Sequence, residues 1–387
     1  GVLTCFFGAP ISYENNLNRG LEFIHNLQKD IRPLLQETGL QVRAGVTYGT
    51  AFTGIVGGAE RCQYAILGNR VNLAARLMTF ADWGEFLVDE DVSKSHHFHF
   101  ISRGNIRYKG IEDQIATYRL AGRNEDARPN FKGRLVGREQ ELQLLEAAAE
   151  PLRAGQCAGV VAIFGEAGVG KSRLTHEWIQ RLDQDMEVGW LVCQADQILR
   201  KPFNPFIYLL RNYFRQSVDH TLEQNARQFE QRFDRLMSGL ATVRHPQVIQ
   251  IRRELLRTRP ILEGWLGLAS PGSLWDQLDA RSRYEFTISG VGHLILAESL
   301  LRPLILELED AHWFDGYSQD LLRQFVPQML QFPVLLLITS RLDDAGQKQY
   351  LLTPEWLRDQ SLPYQELNLD FLPDEALHTF VASRLGG

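Results

Sequence analysis

Two folded regions in series are predicted: a small α+β domain over residues 1–120 and a larger α/β domain over residues 134–387, built on a parallel sheet with additional helices, with a linker over residues 121–133 between them. Three observations predict this. Up to about residue 121, short strand-like runs of mixed polarity alternate with helical patterns. The segment that follows, AGRNEDARPNFKGR, is polar, carries Pro129 and shows neither the strand nor the helix period, which is how a linker reads. Beyond it the strand-like runs become continuously apolar, as strands covered by helices on both faces must be.

In chain order, GVLTCFFG opens as an apolar strand-like run without an initiator Met, and VASRLGG closes just after a helical pattern; a piece cut at both ends is expected. Residues 17–35 carry helical periodicity, QVRAGVTY and CQYAILG read as strands, and a helix is expected over residues 71–80. EFLVD, NIRYKG and ATYRLA complete the strands of the first domain. HHFHF, residues 96–100, alternates histidine with an aromatic in strand fashion, and without an acidic or cysteine partner nearby it reads as a loop-to-strand surface rather than a metal site.

After the linker a helix is expected over residues 139–154, then the strand of GVVAIFGEAGVGKS and an amphipathic helix from Lys171. VGWLVCQA, RPLILELEDAHW and PVLLLITSR supply the remaining buried strands. The helix-rich stretch over residues 206–301 is too long for a simple crossover and is expected to pack as an inserted or appended helical layer. Within it IRRELLRTR is a basic stripe interleaved with leucines, read as a solvated helix face. No internal repeat is visible.

Composition narrows the function. Lys and Arg number 41 against 47 Asp and Glu, a net charge of −6, so there is no general pull toward nucleic acid or anionic lipid. Cys5, Cys62, Cys157 and Cys193 lie far apart, without the paired spacing of a zinc ribbon or a disulfide framework, which points to the cytoplasm. No apolar run reaches the roughly 18 residues of a membrane span, and no signal-peptide order opens the chain.

Two constellations carry chemistry. The first is GEAGVGKS, which fits the phosphate-loop pattern between a strand and a helix. There the backbone of Gly165, Glu166, Ala167, Gly168, Val169 and Gly170 can curl around a β-phosphate, Lys171 can charge-pair the β and γ oxygens, Ser172 can reach Mg2+, and Arg173 lies in the same helix turn. ATP with Mg2+ is the implied ligand set. PLILELEDAHW ends in Glu309 and Asp310, of which one can hold the magnesium water shell and the other polarise an attacking water; the order of these tasks is open, as is the plainer reading of an acidic helix cap. Arg341, at the end of LLLITSR, is a candidate γ-phosphate sensor or a surface arginine.

The second constellation is LGNRVNLAARL. Asn72 and Arg76 stand i, i+4 on one helix face while Val71, Leu73, Ala74, Ala75 and Leu77 can pack behind them, an arrangement suited to an anion.

Taken together, LVGREQEL, GEAGVGKSRL, LEDAHWFD and LLLITSR resemble the signal-transduction ATPases of the STAND class, within the AAA+ and NACHT-like P-loop group, from residue 135 to the end. The resemblance implies a slow, switch-like P-loop NTPase whose bound nucleotide sets domain arrangement, with LVGRE near the adenine and Trp313 in packing. VRAGVTYGTAFTGIVGG, YAILGNRVNLAARLM, EFLVD and IRYKGIEDQIATYRL, in that order, resemble the C-terminal two-thirds of a class III nucleotidyl cyclase domain, an α+β fold of ferredoxin-like type. Joined to a STAND ATPase, the arrangement is most similar to the second cyclase half of soluble adenylyl cyclases.

That resemblance implies that Asn72 orients the ribose and that Arg76 stabilises charge on the α-phosphate as the 3′ oxygen attacks and pyrophosphate leaves. Lys109 either contacts the terminal phosphates or is a solvated strand-end lysine. A capping amide and a surface arginine remain the bland reading of Asn72 and Arg76. Three departures bear on this. Ala65 stands seven positions before Asn72, where cyclic-AMP-forming members carry Asp or Thr, and a methyl cannot accept the adenine amino hydrogen bond. Asn69 replaces an aspartate often seen after Gly68. The family's two metal-binding aspartates fall upstream of Gly1 in its pattern, so Mg2+ or Mn2+ at the cyclase site, and a second cyclase half from the same parent chain or a dimer partner, would come from outside, and the chain alone is not expected to cyclise.

Three functions compete on these grounds: a cytoplasmic signalling protein whose paired cyclase halves make cyclic AMP under control of the ATPase; an ATP-gated regulator or scaffold with a degenerate cyclase half; and a STAND transcription regulator, for which no DNA-binding domain is visible.

Overall fold

The computed structural model describes residues 2–9, 16–38, 41–58, 61–95, 98–111, 113–123, 135–166, 168–195, 202–217, 220–343, 345–373 and 376–378. They form two compact units, residues 1–130 and residues 131–216 with 220–387. The first unit is α+β and the second α/β with a parallel sheet and additional helices, the fold classes expected from the sequence. No helix among the described residues is long and apolar enough to cross a membrane.

The first unit runs α1 (Asn16–Thr38), β1 (Ala44–Val46), β2 (Phe52–Gly58), β3 (Arg61–Leu67), α2 (Asn69–Phe80), β4 (Phe86–Asp89), α3 (Glu90–Ser93), β5 (Phe98–Arg107) and β6 (Gln114–Arg123). Its four-stranded sheet has the order β1-β4-β6-β5, with β1 parallel to β4 and the other pairs antiparallel, while β2 and β3 form a separate hairpin. Four expectations need correction. Residues 2–6 form no strand, and Val2 and Leu3 are exposed: a strand needs a neighbour for its backbone groups, and none is offered among the described residues. Strand β2 was not expected, because Gly54, Gly57 and Gly58 dilute its β-forming residues. Strand β5 begins at Phe98, inside HHFHF, with Phe98 in the core; His96 and His97 lie outside the described residues. Strand β6 runs through Arg123, into the stretch read as linker, and residues 124–134 lie outside the described residues.

Helix α2 lies directly on β1 because Gly45 lets it. A Cβ on Gly45 would stand 2.1 Å from the Ala74 carbonyl oxygen and 2.5 Å from the Met78 nitrogen, both backbone atoms that cannot yield without moving the helix. Gly45→Ala is therefore expected to destabilise the first unit by about 2 kcal/mol or more, read as a lowered urea midpoint. An unchanged midpoint would show that α2 is free to shift.

The second unit runs α4 (Glu139–Arg153), β7 (Gly159–Gly165), α5 (Lys171–Asp185), β8 (Gly189–Gln194), α6 (Asn204–Tyr213), α7 (Leu222–Leu240), α8 (Val248–Trp265), α9 (Leu274–Gln277), α10 (Ala280–Leu301), β9 (Leu304–Glu309), α11 (Gly316–Phe325), β10 (Val334–Ser340), α12 (Pro354–Asp359) and β11 (Tyr364–Leu369). All five strands are parallel, in the order β11-β7-β10-β9-β8. β7 and β10 are buried at every position, as their unbroken apolar runs require. β11 escaped the sequence reading because it is an edge strand of mixed polarity.

Helices α6 to α10 form the expected added layer, with Phe229, Phe233, Ile251, Leu255, Val291 and Ile295 in one core with the sheet. On α8 the basic stripe is met by carboxylates: Arg257 donates to Glu254, and Arg259 to Glu263 and Glu230. Two of the stripe's four arginines, Arg257 and Arg259, are thus met by nearby carboxylates.

Candidate functional site

Parallel strands put all their C-terminal ends on one edge, which is where ligands of open α/β sheets bind. In the second unit that edge gathers three segments. From β7 the chain turns through residues 165–170 into α5, with Gly170 at φ 98° as the residue before the first helical turn. A side chain would be strained in that left-handed conformation, and glycine removes the obstacle. Helix α5 starts with no side-chain cap and no acidic residue in its first turn, so its first N–H groups remain for an anion.

Lys171 is buried, and its Nζ donates to the carbonyl oxygens of Gly165 at 2.9 Å and Glu166 at 2.8 Å. The ammonium is thus folded into the loop it serves. Val169 is buried, Glu166 and Gly168 are exposed, Arg173 is half-buried on the first turn of α5, and Ala167 lies outside the described residues.

The second segment is the end of β9. Ser172 Oγ donates to Glu309 Oε1 at 2.8 Å, which ties the loop to the acidic strand. Asp310 follows at φ 53°, a left-handed turn that sends the chain away from the sheet. Asp315, not Glu309 or Asp310, caps α11, accepting from the Ser318 N–H at 3.1 Å. Burial pushes the Glu309 carboxyl up, and the neighbouring Glu307 and Asp310 push it further; burial also raises Asp310, against the pull of Arg341 and Lys171.

The third segment is the end of β10. Arg341 Nε lies 3.8 Å from Asp310 Oδ1, and the Asp310 N–H donates to Thr339 Oγ1 at 3.4 Å. Arg341 therefore faces Asp310.

Sequence reasoning passed over three side chains here. Glu307, two residues before Glu309 in β9, is buried and accepts from Trp190 Nε1 at 2.8 Å and from Thr175 of α5, bracing β9 against β8 and α5. A carboxylate inside an apolar strand was the available signal. Arg138, within LVGRE, is buried and donates to the carbonyl oxygens of Val169 at 3.2 Å and Asp370 at 2.5 Å, joining the start of the unit to the loop. His312 has its imidazole pushed down to about 4 by burial and by the charges of Arg341 and Lys171.

No group of three or more His, Cys, Asp or Glu fit to cage a metal occurs among the described residues. Magnesium at a phosphate loop needs none, because it takes one or two carboxylates together with phosphates and water. Ser172 with Glu309 and Asp310 fits that requirement.

In the first unit Asn72 and Arg76 share the exposed face of α2, while Leu73 and Leu77 are buried behind them with Tyr108. Arg76 reaches toward the turn after Lys109: a Cβ on Gly110 would lie 3.9 Å from its Nη2. Lys109 is exposed, and Ala65 lies in β3 opposite Gly54. Arg70, unremarked in the sequence, pairs with Asp89 at 2.7 Å and Asp91 at 2.6 Å, and so fixes the start of α2 against β4 and α3. Gly1, upstream of which the cyclase pattern has its metal-binding aspartates, lies outside the described residues.

Comparison with known proteins gives two family matches: residues 134–338 match the AAA ATPase domain, and residues 7–122 the adenylate and guanylate cyclase catalytic domain. An uncharacterized protein of Rhizobium meliloti is 28% identical over 313 residues, spanning 78% of this chain and 28% of its own length. Adenylate cyclase type 10 of Oryctolagus cuniculus is 29% identical over 148 residues, spanning 35% of this chain and 9% of its own length. The chain thus spans well under a third of these relatives. Among solved structures, Cdc6p from Pyrobaculum aerophilum aligns over 66% of this chain and 52% of its own at 14% identity and a TM-score of 0.37. The guanylate cyclase domain of RhGC from Catenaria anguillulae aligns over 30% and 66% at 21% identity and a TM-score of 0.28.

Proposed function

The chain belongs to the AAA ATPase domain family over residues 134–338 and carries an adenylate and guanylate cyclase catalytic domain over residues 7–122, and from that premise we propose that it is a nucleotide signalling protein of the STAND type, in which an ATP-binding and hydrolysing unit regulates cyclic AMP synthesis. The observation that carries the ATPase reading is the hydrogen bond from Ser172 to Glu309, which sets the loop hydroxyl and the acidic strand at one point of the sheet edge.

Roles follow from placement. The loop backbone and the start of α5 bind the β-phosphate, and Lys171 exchanges its loop carbonyls for the β and γ oxygens. Ser172 and Glu309 hold Mg2+, which when bound neutralises charge on those oxygens. Asp310, beside Arg341, orients the attacking water and takes up its proton, and Arg341 meets the charge that builds on the γ-phosphate.

This division is testable. Asp310→Asn is expected to leave ATP affinity within about threefold and to slow hydrolysis about 10²-fold, because an amide cannot accept the water's proton. Glu309→Gln is expected instead to raise the magnesium concentration needed for half-maximal turnover. If both amides hydrolyse ATP like the wild type, the acidic pair is not the catalytic one.

For the cyclase unit, Asn72 and Arg76, with Lys109 at the same turn, contribute ribose and phosphate contacts to a site completed by a second cyclase half with Mg2+ or Mn2+. We place the protein in the cytoplasm, without a nucleic acid partner. A second reading, an ATP-gated scaffold with a degenerate cyclase half, is favoured by Ala65, which cannot read the adenine amino group.

A further inference from the structure

Arg138, immediately before α4, turns its guanidinium into the protein. Its Nη1 donates to Glu141 Oε1 at 2.8 Å, which meets the charge. Its Nη2 donates to two backbone carbonyls far apart in the chain, that of Val169 in the phosphate loop and that of Asp370 just after β11. A carboxylate alone would balance a cation; a planar fork is required where several acceptors must be held in fixed relation. Backbone packing brings the same two segments together. β11 runs beside β7 with Leu369 opposite Gly165, where a Cβ would stand 2.6 Å from the Leu369 carbonyl oxygen. Beyond Asp370 the chain passes Gly137, the neighbour of Arg138, so closely that a Cβ there would stand 2.6 Å from that of Ala376. Phe371 and Leu377 of this segment are exposed, so much of its apolar surface stays in water and its docking is readily shifted.

The peptide unit supplies the link to the nucleotide. In a trans peptide the C=O and the following N–H point in opposite directions across one rigid plane. Holding the Val169 oxygen toward Arg138 therefore aims the Gly170 N–H away from it and leaves that donor, just before α5, to a phosphate. A phosphate that draws on this N–H turns the plane, the Val169 oxygen moves against Nη2, and the same nitrogen carries the movement to Asp370. Resting on the reading of this edge as an ATP site, we propose that Arg138 is a positioning residue of the phosphate loop that couples nucleotide binding to the docking of the chain that leaves β11. Such coupling is reciprocal: the factor by which the nucleotide favours docking is the factor by which docking favours the nucleotide.

The test follows amide hydrogen exchange at Leu372 and at Leu377, whose N–H donates to the Pro373 carbonyl at 2.9 Å, in the 387-residue chain with and without the β,γ-imido analogue of ATP and Mg2+. In the wild type the saturating analogue is expected to slow exchange about tenfold. Arg138→Met fills the space without a donor; at its own saturating concentration the analogue is expected to leave exchange unchanged, and calorimetry is expected to show affinity lower by about the same tenfold. If that variant does not fold, Arg138→Lys, which keeps a cation beside Glu141 but offers one nitrogen in place of two, carries the comparison, with the response reduced about threefold or more. A variant that is merely less stable would exchange faster in both states and still respond to the analogue. That result, an unaltered affinity, or a wild type that binds the analogue with no change in exchange would overturn the inference while leaving the ATP site standing. Failure of the wild type to bind the analogue would remove the ATP site itself, and this inference with it.

Discussion

Cyclic-nucleotide production by the complete protein is expected to fall about 10²-fold or more when Arg76 is replaced by alanine, with the loss in kcat rather than KM. Arg76 is on the exposed face of α2, so its removal leaves Leu73 and Leu77 in their core and the helix on β1. A guanidinium that meets charge only as the 3′ oxygen attacks the α-phosphate contributes to the transition state more than to substrate binding. The metals and the other half of the site are supplied from outside this chain on our reading, so neither side suffices. The measurement is cyclic AMP and cyclic GMP formed by wild type and variant, with Mg2+ and Mn2+ separately. Unchanged production would make this half a scaffold; no production by the wild type under any condition would favour the degenerate reading, with Ala65 the first residue to exchange.

How much of this was legible in the sequence depended on where each residue stands. The buried strands β7, β9 and β10 were plain because burial on both faces demands unbroken apolar runs, and the loop after β7 was plain because its glycines and lysine have few other uses. Edge strand β11 and glycine-rich β2 were not, since an edge needs only one apolar face and a hairpin can be held by register alone. The i, i+4 face of Asn72 and Arg76 was readable from spacing; the reach of Arg76 toward Gly110 was not, because that turn is more than thirty residues away in sequence. Likewise the pairing of Ser172 with Glu309 spans 137 positions and is fixed only by β9 lying one strand beyond β10. Glu307 and His312 were visible as polar residues in apolar or motif surroundings, but their partners, or the lack of them, belong to the packed structure.

Lys171→Ala is expected to weaken ATP binding about 10²-fold without disturbing the fold. The lysine is buried at the start of α5 with its charge met by two loop carbonyls, so alanine removes one buried cation and leaves the uncapped helix start and the glycine loop in place. Two charge-assisted contacts to phosphate oxygens are lost together, and the remaining backbone N–H groups hold the nucleotide only weakly. The central claim, that the edge formed by β7, β9 and β10 is an ATP site, is therefore tested most directly by calorimetric titration of ATP with Mg2+ into the wild type and into Lys171→Ala. The account predicts saturable binding at one site in the wild type and affinity lower by about 10²-fold in the variant; equal affinity in the two proteins would contradict it.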